Sequence, residues 1–232
     1  MKKIKVNNEA AYFFAIVLIA FAVALTAAAD LGVSMIVAPA YILSLKFEFL
    51  TFGQWEYVLQ SLLFIVFCII KRKVKLIYFT SFLNCVVYGA VLDFFRKVIP
   101  LFNAEAVPPD TIPLPYKILM MAVGMLLTTF SVALFFKAYL YPQVYDFFVK
   151  GVSSHYKIPI GKFKIFYDIS SFAVSCILTL VLFGGFKGVG VGTVVMALVN
   201  GLIISFFDKL LTKHVEFVPA FKKLADIFDL DK

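Results

Sequence analysis

The sequence predicts an all-α integral membrane protein. Its six spanning helices form a three-plus-three inverted-topology repeat, with a short interfacial or re-entrant helix after the first and fourth spans. Three observations predict this class: an apolar composition, basic residues that alternate between apolar runs, and an internal repeat with three runs in each copy.

Composition comes first. Of 232 residues, 62% are hydrophobic and 28 are Phe, and mean hydropathy is +0.97. Soluble domains lie near half apolar, so the chain reads as a membrane protein before any motif is considered. The net charge of +8 sits between the apolar runs rather than on one helix face. It therefore reads as a topology signal, and a nucleic-acid partner is not expected. Cys68, Cys85 and Cys176 all fall inside apolar runs and are odd in number, which leaves no disulfide framework or metal-ligand spacing.

Six runs are long enough to cross a bilayer, which takes about 20 residues: 10–29, 54–70, 76–97, 117–140, 163–183 and 189–210. The opening MKKIK and the later ALTAAAD imitate a secretory signal, but the run between them is long enough to span and has a partner in the repeat. Lys2, Lys3 and Lys5 precede the first run; Lys71, Arg72, Lys73 and Lys75 follow the second; Lys150, Lys157 and Lys162 follow the fourth; Lys213, Lys222 and Lys223 follow the sixth. Positive residues concentrate on the cytoplasmic side, so both termini are expected there.

The repeat is clearest where residues 182–211 (LFGGFKGVGVGTVVMALVNGLIISFFDKLL) meet residues 76–97 (LIYFTSFLNCVVYGAVLDFFRK). Thr80 aligns with Gly192, Gly89 with Gly201, and Phe94-Phe95 with Phe206-Phe207. Further back, residues 52–60 (FGQWEYVLQ) meet 160–168 (IGKFKIFYD), and 22–25 meet 131–134. Two copies with three spans each must lie in opposite orientation, related by an axis in the membrane plane. The copies occupy 1–99 and 117–211. A linker, 100–116, carries Pro108, Pro109, Pro113 and Pro115 and reads as an external strap. A tail, 212–232, places Phe217, Phe221, Leu224 and Phe228 on one side of an expected amphipathic surface helix. Each copy also carries a Pro-containing apolar insert after its first span, 31–50 and 140–159; each is interfacial or re-entrant.

Polar groups at membrane depth mark candidate sites, because they are costly there. Asp168 lies two turns into the fifth span with Ser171 on the same face, and its repeat mate is Gln60. It is placed to bind a cation, take a proton or pair with Lys164. Asn84 and Asn200 lie mid-span and either join helices by hydrogen bonds or line a polar cavity. Gly190, Gly192 and Thr193 open the sixth span, where free backbone N–H groups can meet an anion or close packing can use the small residues. Asp93 and Asp208 lie near helix ends and read as structural. His155 and His214 have no metal-ligand companions, and no nucleophile or kinase motif occurs, so neither catalysis, a metal nor a cofactor is expected.

The elements LGVS (31–34), FTSFLNCVVYGAVLD (79–93) and GVGVGT followed by Asn200-Gly201 resemble the YczE/YyaS/YitT family of bacterial multi-pass membrane proteins. Met35 stands where that family tends to place Pro, and Thr80-Ser81 stands where it tends to place Gly-Thr. The resemblance implies a multi-pass protein of the bacterial cytoplasmic membrane and supplies no substrate.

The expected function is small-molecule transport or export, with Gln60, Asn84, Asp168, Ser171, Gly190, Gly192, Thr193 and Asn200 near a site between the repeats. A channel-like or lipid-handling protein and a non-transporting scaffold are the alternatives. The expected partners are the lipid bilayer and a small molecule or ion, and the small-residue faces permit a homodimer.

Overall fold

The computed structural model describes residues 3–72, 75, 78–221, 225 and 228. A short strand, β1 (Ile4–Asn7), leads into α1 (Asn8–Ala29); then follow α2 (Ala38–Lys46), α3 (Phe52–Lys71) and α4 (Phe79–Val98). The second half repeats the order with α5 (Leu114–Lys137), α6 (Val144–Tyr156), α7 (Ile160–Phe183) and α8 (Val191–His214), and ends in β2 (Val215–Val218). Five helices, α1, α3, α5, α7 and α8, are long and apolar enough to cross a membrane. The remaining predicted span is α4. It is as long as α3, but Asn84, Asp93 and Arg96 leave it less apolar than the five.

The helices start and stop where their sequences dictate. Asn7 caps α1 by accepting from the Glu9 and Ala10 N–H groups. Thr51 and Gln54 form a reciprocal capping box on α3. Gly184 ends α7 in the left-handed conformation.

α1 and α5 run along each other at the centre. The alanines of α1, fully buried at Ala15, Ala20, Ala22 and Ala24, let α5 approach, and Gly124 of α5 lies against Thr26. Small residues are how helices pack where lipid removes any hydrophobic drive between them. α4 flanks α1, and α8 flanks α5. The two short helices cross over: α2 of the first half lies on α7, and α6 of the second half lies on α3.

Three departures from the sequence reading stand out. A two-stranded parallel sheet joins the two ends of the fold, pairing Ile4 with Val215 and Asn7 with Val218. The tail therefore begins as a strand, not as the start of an amphipathic helix. Phe217 sits in it, while Lys222, Lys223, Leu224, Asp226 and Asp229 lie outside the described residues. Both inserts, read as interfacial or re-entrant, are buried against other helices: Ala38, Ala40 and Ile42 of α2 and Val144 and Phe147 of α6 are almost fully enclosed. The linker is not plainly extended, since it holds two short 3-10 turns, Pro100–Phe102 and Pro109–Thr111.

Candidate functional site

Polar side chains meet around the first turn of α6. Gln60 of α3 is fully buried; its Oε1 accepts from the Val144 N–H at 3.2 Å, and its Nε2 donates to Glu56 Oε2 at 3.0 Å. The Tyr145 hydroxyl donates to the same Glu56 oxygen at 2.9 Å. One residue on, Asp146 faces the other way and pairs with Lys164 of α7 at 3.3 Å. Lys164 also pairs with Asp168 at 3.3 Å. Thus Gln60 and Asp168, aligned by the repeat, reach the same turn from opposite sides, one directly and one through Lys164. The sequence alignment also sets Glu56 against Lys164, an acid against a base.

The direction of α6 follows from its neighbours. Val144 meets Gln60 of α3, whereas Phe147 stacks on Phe67 at 4.6 Å and Gly151 lies against the same ring. α6 therefore runs parallel to α3, with its N-terminus beside the middle of that helix. Phe67, Tyr78, Tyr141 and Phe147 form the aromatic wall below.

Asn84 extends the polar region toward α1. It donates to the Tyr12 hydroxyl at 2.6 Å, and that hydroxyl donates to the Tyr141 carbonyl at 2.6 Å. Beneath the Asp146–Lys164 pair opens a cavity of 830 Å³, walled by Phe135, Tyr139, Tyr141 and Phe228, with Lys150 at its side. Tyr139 donates to Glu9, and burial together with that carboxylate pushes its phenol up from the ordinary range.

The glycine-rich start of α8 is spent differently. The Gly192 N–H donates to the Leu31 carbonyl at 2.8 Å, Thr193 Oγ1 accepts from the Gly190 N–H at 3.3 Å, and Val33 N–H reaches Gly188 at 3.2 Å. Its donors hold the connection between α1 and α2. A Cβ added at Gly32 would fall 2.4 Å from Thr193 Oγ1, in a backbone conformation (φ 100°) that favours glycine. Ser171, half-buried, hydrogen-bonds Tyr167 on α7, and Asn200 lies half-buried on α8. Of the eight residues expected at a site, Gln60, Asn84 and Asp168 thus belong to the polar region around α6, and Ser171 borders it. Gly190, Gly192 and Thr193 join a second junction with α2. Glu56 and Tyr145 belong to the first region and do not stand out in the sequence. The repeat alignment held the signal, since it sets Glu56 against Lys164.

Asp93 and Asp208 are structural, as expected. Asp93 accepts from the Gly53 N–H at 2.9 Å and from Thr51, and Asp208 pairs with Lys137.

A family model matches residues 6–209. The chain belongs to DUF6198, a family of unknown function. The match takes in every helix except the last residues of α8 and carries no link by name to YczE/YyaS/YitT. No curated protein matches the chain, and no solved structure does. For a DUF6198 protein, then, the polar turn of α6 and its cavity are the starting point for a functional reading.

Proposed function

We propose that this DUF6198 chain is a six-span small-molecule transporter of a bacterial cytoplasmic membrane, an inverted repeat with both termini in the cytoplasm. The likeness to YczE/YyaS/YitT is part of that reading. The single observation that carries it is the convergence of Gln60 and Asp168, equivalent positions of the two copies, on one turn of α6 above a cavity. Sites between inverted repeats, at helices that stop inside the protein, are the arrangement such transporters use.

The packing supports the repeat. Exchanging α1–α4 for α5–α8 maps the α1–α4 contact onto α5–α8, and the α6–α3 contact onto α2–α7. The start of α6 beside Gln60, eight residues into α3, supports a re-entrant helix, which membranes tolerate where protein encloses it. The cavity's aromatic walls and its Lys150, Lys164 and Asp146 fit a substrate with an apolar body and a zwitterionic head.

The test is a melting screen of the detergent-purified protein against amphipathic metabolites, repeated on Lys164→Met and Asp168→Asn. A true ligand at about 100 times its Kd stabilises by about 2.7 kcal/mol. The shift should shrink in both variants, and the same compound should enter proteoliposomes. No ligand shift and no uptake would replace this reading with the scaffold.

A further inference from the structure

Glu56 is the most enclosed carboxyl among the described residues, at 0% exposure, and its bonding is half complete. Oε2 accepts from Tyr145 and Gln60, whereas Oε1 has no partner. The Tyr88 hydroxyl, also at 0% exposure and within electrostatic reach of Glu56, has none either. Tyr88 stands three residues beyond Cys85, whose thiol faces the Glu56 carbonyl at 3.9 Å, so α4 turns this face toward Glu56. Ser81 Oγ and Asn84 Oδ1 continue that side of α4, buried and unpartnered.

Unsatisfied buried oxygens are individually expensive, and a buried carboxyl without a counterpart is more so. Glu56 Oε1 and the Tyr88 hydroxyl, on the facing sides of α3 and α4, call for an occupant. The groups facing Glu56 from its neighbours are Cys85 and Tyr88 on α4, Tyr145 on α6 and Tyr167 on α7; none supplies a positive charge. The nearby cation Lys164 is already held by Asp146 and Asp168. The donors are hard oxygens with one formal negative charge. Zinc seeks nitrogen or sulfur, and a buried calcium or magnesium would keep an uncompensated positive charge beside a single carboxyl. The chemistry left is a single positive charge.

We propose that Glu56 and Tyr88 form the core of a site for one monovalent cation, sodium or a proton, and that this is the ion coupled to transport. The coupling rests on the transporter reading; the binding does not. Asp168, the sequence's first candidate for this role, already pairs with Lys164, which it shares with Asp146.

Trp55 is the sole tryptophan and adjoins Glu56, so it reports on the site. Purified protein at fixed ionic strength is titrated with NaCl in place of choline chloride, following Trp55 fluorescence and melting. A sodium-free pH series follows the carboxylic C=O infrared band. A saturable sodium response, weakened about tenfold or more in Glu56→Gln and Tyr88→Phe, supports the sodium arm. An infrared band lost as pH rises, and absent from Glu56→Gln, supports the proton arm. Tyr88→Phe keeps the carboxyl and the packing, so the site stays testable if Glu56→Gln fails to fold; in the proton arm its band should titrate at a shifted pH. Neither response in the wild type, or the same response in both variants, overturns the site. Cation binding without any substrate shift or uptake would leave the site standing and remove the transporter.

Discussion

α3 with α4, and α7 with α8, are set against each other by the sequence alignment and pack in opposite ways. In the first pair the backbones touch. A Cβ added at Gly53 would fall 2.2 Å from the Gly89 carbonyl oxygen, and Asp93 joins the two helices by accepting from Gly53 and Thr51. In the second pair Gly161 and Gly201 stand at the same repeat positions with nothing within 4 Å. α7 and α8 make no comparable contact and present Ile165, Phe166, Leu198 and Leu202 outward. Glycine at a crossing permits close approach but does not enforce it. The difference lies in the polar lock. The repeat mates of Thr51 and Asp93 are Pro159 and Ser205; proline offers no hydroxyl, and the Ser205 hydroxyl turns back to its own helix at Gly201.

The largest effect should come from filling the tight crossing. Gly89→Val places atoms against the Tyr57 ring and the Gly53 carbonyl, and should cost about 3 kcal/mol in detergent unfolding. Gly201→Val should stay within about 0.5 kcal/mol of wild type; equal losses would erase the contrast. Next, Asp93→Ala should cost about 1–2 kcal/mol by freeing the α3 cap, and should widen the α3–α4 distance measured by spin labels. An unchanged distance would return the credit to the glycines. The converse change, Pro159→Thr with Ser205→Asp, should shorten the α7–α8 distance and leave α3–α4 unmoved. Lys137→Met, which breaks the partly exposed pair with Asp208 that ties α8 to α5, should cost no more than about 1 kcal/mol and should loosen α8 alone.

The smallest effect is a pH dependence at the α1–α2 connection. Burial raises the Asp30 carboxyl above its ordinary range, with Lys117 pulling it back, Asp110 adding to the rise and Lys187 opposing it. A raised folded-state value means the stabilising, protonated form is lost as pH rises. Stability should therefore decline slightly as pH climbs above about 4, and Asp30→Asn should flatten that slope in pH-resolved melting curves.

Most helices were legible because their apolar length is a property of composition. The runs 10–29 and 163–183 correspond to Asn8–Ala29 and Ile160–Phe183, and both inserts contain the expected short helices. Gln60 and Asn84 were legible because a lone amide in an apolar run is conspicuous. Glu56 was not. It lies one turn from a helix end, where a carboxylate ordinarily reaches water, and only packing by α4 and α6 encloses it. Tyr145 was hidden for a related reason, because its partner is 89 positions away in sequence. The glycines of α8 have one sequence signal for two uses, and the carbonyl of Leu31 decides between them.

The sheet between the ends of the fold bears on how the protein is made. Ile4–Asn7 leaves the ribosome before α1 to α8 but finds its mate only when Val215–Val218 has emerged. Beside it, Glu9 accepts from the backbone N–H groups of Ala220 and Phe221, which are synthesised later still. This early-made strand is therefore among the last parts of the fold to settle. A chain stalled before the end of α8 leaves that strand and carboxylate without their partners, so this pairing forms only once both halves of the fold have been made.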